Sequence, residues 1–182
     1  MFNALNAIAG WIRTEPEFAD DTVAQLAEVF RYTLHRSQNE WVPMYEEIDF
    51  IRAYLAVERA RFGKRLETQV SLSPEANAVS IPSMVIQPLI ENAIKHGVSH
   101  VGAVGKVTLD ARLSGSTLMI EVSDNGPGFP AGFNLDESTA GHGLRNVADR
   151  LKGYYGAGAS LQWNNGSAGT RVTIKIGSGE NG

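Results

Sequence analysis

Ile81-Pro-Ser-Met-Val-Ile-Gln-Pro-Leu-Ile-Glu-Asn-Ala-Ile-Lys-His-Gly97 reads as one helix near the middle of a chain of 182 residues. Ser83 can cap its start, because Pro82 discourages an earlier one. Gly97 can stop it, just beyond Lys95 and His96, whose positive ends suit a helix C-terminus. Pro88 inside the stretch argues for a kink or a late start. Val85, Ile86, Leu89, Ile90, Ala93 and Ile94 recur at helical spacing and predict a buried stripe. Asn92, Lys95 and His96 stand three and four apart and share another face. Glu91 and Lys95 read most simply as a surface ion pair. Asn92 demands more, since an amide on a largely apolar helix needs a partner.

Two later stretches give that polar row a meaning. Asp124-Asn-Gly-Pro-Gly-Phe129 follows the apolar run from Leu118 to Val122, and Gly141-His-Gly-Leu-Arg-Asn146 opens another helix. A polar helix row, an Asp-x-Gly-x-Gly turn and a Gly-x-Gly helix start, in that order, resemble the nucleotide-binding boxes of the GHKL ATPase and histidine kinase superfamily. The residue types suit the chemistry. Asp124, at a strand end, can accept from the exocyclic amine of adenine in a charge-assisted bond. Asn92 can offer oxygen to Mg²⁺, which takes one or two protein ligands and completes its shell with phosphate and water. Gly141, Gly143 and the helix behind them can present backbone N–H groups to phosphate. Arg145 in the first turn of that helix opposes the macrodipole, a conflict that a bound anion would relieve.

Outward from these motifs the period of the pattern divides the chain. Phe2, Leu5, Ile8, Ala9 and Ile12 lie on one helical face, Thr14-Glu15-Pro16 interrupts it, and Asp20 or Asp21 can cap a second helix bearing Val23, Leu26, Ala27, Phe30 and Leu34. Together they predict a helical hairpin. Trp41 to Met44 reads as an extended connector, and a third helix runs from about Tyr45 to Phe62, stopped by Gly63. Strands follow at Leu66–Leu72, at Val107 to Leu113 and at Leu118 to Val122, the last two joined by a turn at Gly115-Ser116. The aperiodic loop from Pro127 to His142 predicts a mobile lid. Leu144 to Leu151 predicts a helix. Two closing strands carry Leu161 and Trp163, then Val172, Ile174 and Ile176, and Asn164-Asn165-Gly166 joins them. Gly169-Thr170 precedes the last strand. The division is then 1–63, a helical dimerisation and phosphoacceptor-type region; 64–177, an ATP-binding domain; and 178–182, a tail.

Composition bounds the alternatives. Hydrophobic residues make up 43%, enough for a core, and the net charge of −4 gives no basic surface for nucleic acid or for an anionic membrane. The chain has no cysteine, so thiolate metal sites, disulfides and cysteine nucleophiles are excluded. No run approaches the roughly 18 apolar residues of a membrane span. Of the four histidines, His96 ends the central helix, His142 lies between glycines, and His35 and His100 look solvent-facing.

Taken together, Phe2 to Asn6, Arg31-Tyr32, Glu46-Glu47, Tyr54-Leu55, Glu58, Arg61-Phe62, Gln87-Pro88-Leu89, Glu91 to Gly97, Asp124 to Gly126, Gly143 to Asn146, Arg150-Leu151, Tyr155-Gly156 and Gly169-Thr170 look like a LytS-type sensor histidine kinase. The resemblance implies an α+β Bergerat ATP-binding sandwich, a mixed sheet covered on one face by helices, preceded by the helical hairpin. It implies Mg-ATP as cofactor, and transfer of the γ-phosphate to a histidine and thence to a response regulator. It implies catalytic roles for Glu91, Asn92 and Lys95, with Asn92 on Mg²⁺. Nucleotide contacts would come from Asn92, Lys95, His96, Asp124, Gly126, Gly128, Gly141, Gly143, Leu144 and Thr170. A homodimer through the N-terminal helices is expected, as is a cytoplasmic location below membrane-spanning sensor segments upstream.

Two departures temper these expectations. The family's acceptor histidine stands in Pro-His-Phe-Leu-Phe-Asn and would fall two residues before Met1, so the expectation is a chain, either cropped or given a wrong start, that binds ATP without phosphorylating itself. Related ATPases that hydrolyse ATP efficiently tend to carry Glu four residues before the metal-binding Asn. Pro88 stands there, so slow hydrolysis at most is expected. The alternative is a GHKL-type protein serine kinase or ATPase outside two-component signalling, against which the helical hairpin speaks. A dimerisation module that has lost its nucleotide is a third reading, opposed by Asn92, Asp124 and the glycines.

Overall fold

The computed structural model describes residues 8–36, 40–135, 142–166 and 169–177. Residues 8–11 are helical and residues 12–14 form a turn. Helix α1, Pro16–Arg36, begins at proline. Proline has no N–H to leave unpaired and its fixed φ suits the first turn, so the cap expected at Asp20 or Asp21 is not needed. Leu26 is buried, but Val23 and Ala27 are exposed. The side chains of Phe30 and Leu34, like residues 1–7, lie outside the described structure. A small apolar cluster joins Ile8, Ala19, Leu26 and Val57, with Trp11 against it.

The connector from Trp41 forms a strand. β1, Trp41–Pro43, pairs antiparallel with β3, Ser80–Pro82. Helix α2, Met44–Phe62, ends where Gly63 takes φ 59° and donates its N–H to the Arg59 carbonyl. A positive φ is the reason glycine serves there. β2, Leu66–Leu72, follows after a 3₁₀ turn over Gly63–Arg65.

The central stretch is more broken than its periodicity predicts. Ser83 caps nothing; its N–H donates to the Glu40 carbonyl. Helix α3 starts late, at Gln87, with Pro88 in its first turn, and spans only Gln87–Asn92. The backbone then widens into a π turn over Ala93–Gly97 and tightens into a 3₁₀ turn over Val98–His100, so Gly97 does not end the helical run. The apolar stripe holds: Val85, Ile86, Leu89, Ile90, Ala93 and Ile94 are all buried.

β4, Gly105–Ser114, and β5, Thr117–Asp124, form the expected hairpin, turned at Gly115 with φ 58°. Helix α4, His142–Tyr155, precedes β6, Ala159–Gly166, and β7, Gly169–Gly177. Asn164 and Asn165 lie within β6 rather than in the turn. The main sheet has the order β2-β4-β5-β7-β6, with β2 parallel to β4 and the other pairs antiparallel.

Alternation along these strands separates two faces. The inner residues Val107, Leu109, Leu118, Ile120, Val122, Val172 and Ile174 pack with Ile48, Ile51 and Leu55 of α2, Leu89 and Ile90 of α3, and Leu144, Val147 and Leu151 of α4 in one core. The outer face carries polar residues such as Glu67, Gln69, Lys106, Thr108, Arg112 and Arg171. Helices therefore cover one face of a mixed sheet. Among the described residues no helix is long and apolar enough to cross a membrane.

Ile120, fully buried on the middle strand β5, measures how far the sheet and helices share one core. Ile120→Ala should cost about 2–5 kcal/mol of unfolding free energy. Denaturant titration of the far-ultraviolet signal checks it.

Candidate functional site

The residues singled out in the sequence converge at the end of β5. Asp124 is its last residue and pairs with Thr170 at the start of β7. The Gly126 N–H donates to Asp124 Oδ1 at 2.8 Å, an Asx-type turn. The Thr170 backbone also bonds this carboxylate. Burial raises the Asp124 pKa above its ordinary value, and the two backbone donors oppose that rise without cancelling it.

Glycines make the carboxylate's seat. A Cβ on Gly97 would lie 2.4 Å from Asp124 Oδ1, and a Cβ on Gly126 would lie 2.3 Å from the Gly97 Cα. Gly169, at φ +129°, leaves no room for a Cβ against the Asp124 carbonyl and the Asn125 Cα. The π turn, the turn after β5 and the first residue of β7 thus meet around Asp124, Gly97 and Gly126 at its side chain and Gly169 at its backbone, at separations that only hydrogen side chains permit. Gly97 and Gly169 are not among the site residues expected from the sequence. Gly97 read as a helix stop, Gly169 read equally as an ordinary turn or a ligand contact, and only the fold makes them neighbours of Asp124.

Asn92 is the last residue of α3, half-buried, one π turn before Gly97. Its amide makes no side-chain hydrogen bond to another described residue. Glu91 is exposed and accepts from Gln87 Nε2 at 2.7 Å. The expected Glu91–Lys95 ion pair does not form among the described residues. The π turn starts between them, and its wider pitch takes Lys95 off the stripe four residues below it. Lys95 and His96 are both exposed. Partial burial, then the charge of Lys95, then His100, push the His96 pKa down, so its imidazole favours the neutral form. Glu91 also has neighbours on α2. Burial raises the Tyr54 pKa, and the negative charges of Glu58 and Glu91 raise it further.

Beyond Asp124 the loop is pinned by two asparagines. Asn125 Oδ1 accepts from the Lys106 N–H at 2.6 Å and its Nδ2 donates to the Val104 carbonyl at 2.9 Å, extending the sheet's bonding past β5. Asn165 on β6 brackets Phe129, accepting from its N–H at 2.7 Å and donating to its carbonyl at 2.8 Å. Gly128, at φ +84°, brings the backbone to that amide. Phe129 stacks on Phe133, whose edge meets Trp163. Gly141 and residues 136–140 of the expected lid lie outside the described residues. At the start of α4, Gly143 is exposed and Leu144 is buried. A Cβ on Gly143 would meet only the Pro88 side chain, at an ordinary 3.7 Å.

A family model described as histidine kinase-, DNA gyrase B- and HSP90-like ATPase matches residues 78–179, more than half the chain and all of this site. The chain belongs to that family. A second model, histidine kinase, matches residues 1–66. Over 179 residues, 97% of its length, the chain is 37% identical to the sensor histidine kinase BtsS of Escherichia coli K12. Over 183 residues, 96% of its length, it is 32% identical to the sensor protein LytS of Staphylococcus epidermidis. It spans 31% of the length of each of these curated relatives. The LytS-type resemblance read from the motifs therefore holds. Among solved structures, the histidine kinase ThkA in complex with response regulator protein TrrA superposes with a TM-score of 0.55 at 15% identity, over 97% of this chain and 58% of that one. That likeness is one of fold, and it fits the α+β sandwich of a histidine kinase-like ATPase domain.

The glycine contacts predict a steric test. Gly97→Ala should displace the Asp124 carboxylate or the π turn, at about 1–3 kcal/mol of stability as for other overpacked sites. Thermal unfolding measures the loss, and a nucleotide titration should weaken with it.

Proposed function

We propose that this region binds Mg-ATP and catalyses transfer of its γ-phosphate to a histidine and thence to a response regulator, as the catalytic region of a two-component sensor histidine kinase. The observation that carries the reading is Asp124: a carboxylate withdrawn from water, seated between Gly97 and Gly126, beside the helical turn that carries Asn92. A desolvated acceptor at the end of a strand suits the exocyclic amine of adenine, since a charge-assisted bond gains most where water is excluded.

Asn92 Oδ1 would hold Mg²⁺ together with phosphate oxygens. The donor set fits that ion. No cluster of three or more His, Asp or Glu side chains that could cage a metal occurs among the described residues, and Mg²⁺ needs only one or two protein oxygens when phosphates supply others. When bound, the ion neutralises charge on the transferring phosphoryl group. Lys95 supplies a second cation to the phosphates, and His96 a neutral imidazole. The N–H groups of Gly143 and Leu144, in the first turn of α4, have no partner within the helix and favour anions, and Gly143 leaves space that a side chain would fill. Glu91 would orient the attacking histidine and accept the proton from its far ring nitrogen as the near one bonds phosphorus and the phosphorus–oxygen bond to ADP breaks. Pro88 offers no base to activate water, which favours transfer over hydrolysis.

The match of residues 1–66 to the histidine kinase model, and helix α1 within it, support this reading over a serine kinase or ATPase outside two-component signalling. We further infer a dimer through the N-terminal helices and a cytoplasmic location below a membrane sensor. Ile12, Phe18 and Val23 are 60%, 40% and 46% exposed on that helical region, more apolar surface than one copy covers.

Calorimetric titration with a Mg-bound non-hydrolysable ATP analogue tests the site. Asp124→Asn should weaken binding about tenfold or more. Asn92→Ala should spare metal-free ADP and weaken the Mg-dependent part. Wild-type binding in both variants would sink the assignment. The pH dependence has a definite sign. Adenine's amine favours ionised Asp124, so affinity should fall as pH drops through the raised Asp124 pKa, and Asp124→Asn should abolish that fall. For self-association, sedimentation should show a dimer that the triple change Ile12→Ser, Phe18→Ser and Val23→Ser drives towards monomer.

A further inference from the structure

Met84 is the single non-glycine with a positive φ, 60°, among the described residues. It lies in the turn between β3 and α3. L-residues avoid that region unless their surroundings hold them there. The holder is Glu47. Its Oε1 accepts from the Met84 N–H at 2.6 Å and its Oε2 from the Ile86 N–H at 3.3 Å. Glu47 lies in the first turn of α2 and is wholly buried.

This carboxylate takes the place of a cap. Ile86 is the N-cap of α3 and makes no side-chain capping bond. An anion before the first turn suits the helix dipole, and carboxylate bonds to backbone N–H groups are among the stronger kinds. Helix α3 is only six residues long, and Asn92 is its last residue. Six residues of rise place Asn92 about 9 Å from Ile86 along the axis, so a shift or rotation at the start is delivered to the amide. The other bonds on this turn come from the same side. The Ser83 N–H donates to the Glu40 carbonyl, and β1 pairs with β3 through Trp41 and Pro82.

We propose that Glu47 is a positioning residue for the nucleotide site: its two-pronged bond to the Met84–Ile86 turn sets the placement of α3, and with it the Mg²⁺-binding oxygen of Asn92. The inference rests on the function proposed above. Its geometry asks for a glutamate in particular. Glutamine would turn an NH₂ donor toward one of two N–H donors, and aspartate is one methylene too short to reach both. Asp124 sits on β5 and takes its bonds from Gly126 and Thr170, so the adenine part of the site depends on Glu47 less than Asn92 does, although Gly97 reaches it from the π turn.

The test compares the whole chain with Glu47→Gln, Met84→Gly and the double variant. Titrations use the Mg-bound non-hydrolysable ATP analogue and, separately, ADP without metal. Glu47→Gln should weaken the Mg-analogue about tenfold and metal-free ADP less than about threefold. Adding Met84→Gly should recover at least about threefold of the Mg-analogue loss relative to Met84→Gly alone, because glycine takes the positive φ unaided. Equal loss for both ligands, or no recovery, would mean a merely structural role and overturns the proposal. So does wild-type affinity in folded Glu47→Gln. Where that variant does not fold, Glu47→Asp replaces it: the same selective loss is expected, and unchanged affinity refutes the idea. A wild-type chain that fails to bind the Mg-analogue would instead refute the function proposed for the site.

Discussion

A carboxylate drawn out of water raises its own pKa unless donors meet it. At Asp124 the withdrawal outweighs the donors on Gly126 and Thr170. That imbalance is possible because the surrounding backbone approaches so closely. Gly97, Gly126 and Gly169 come from three separate parts of the chain, and a single methyl on any of them would collide with the carboxylate or with its neighbours. The β5–β7 register fixes one of these approaches and the Asx turn a second. The third depends on the π turn, which carries Gly97 across the end of β5. The buried stripe of α3 holds that turn against the sheet.

Helix α2 faces two ways. Ile48, Ile51 and Leu55 belong to the sheet's core, while Val57 belongs to the small cluster shared with Ile8, Ala19 and Leu26 of the N-terminal region. Between these faces lies a polar seam. Arg61 pairs with nearly buried Glu58 at 2.6 Å, and the charge of Glu58 reaches Tyr54 together with that of Glu91. A buried pair of this kind adds little net stability, because desolvation offsets attraction; breaking it by removing one partner costs far more. The pair lies within α2, so only the charge of Glu91 on Tyr54 links this seam to α3. Glu47 makes the direct bonds to the start of α3.

The strands were legible because one sheet face is wet. Val107, Leu109 and Ala111 alternate with Thr108, Asp110 and Arg112, and nothing but a half-buried strand gives that period. The apolar stripe of the central stretch was legible for a similar reason, yet its helix type was not. A π turn leaves the buried residues buried, and only the partner of Glu91, Gln87 rather than Lys95, betrays it. β1 read only as an extended connector and β3 escaped notice, because three residues ending in proline carry no period. In the candidate site, Asn92 and Asp124 stood out by polarity and by company. Glu47 did not. An acid in the first turn of a helix has a sufficient local reason in the dipole, so its burial can be read only from the fold.

The parallel pairing of β2 with β4 has a consequence for how the chain reaches this state. Leu66 meets Gly105, and Trp41 meets Pro82, each across about forty residues. The β4–β5 hairpin closes through two turn residues at almost no loop entropy, whereas both long-range pairings must close a large loop before any contact rewards them. The crossover between β2 and β4 contains β3, α3 and the π turn, so the segment that bears Asn92 and Gly97 lies inside one long loop, and the β5–β7 pairing that brings Thr170 to Asp124 closes a longer one still. Contacts of high sequence separation therefore meet around Asp124, and their loops must close before any of those contacts rewards the chain.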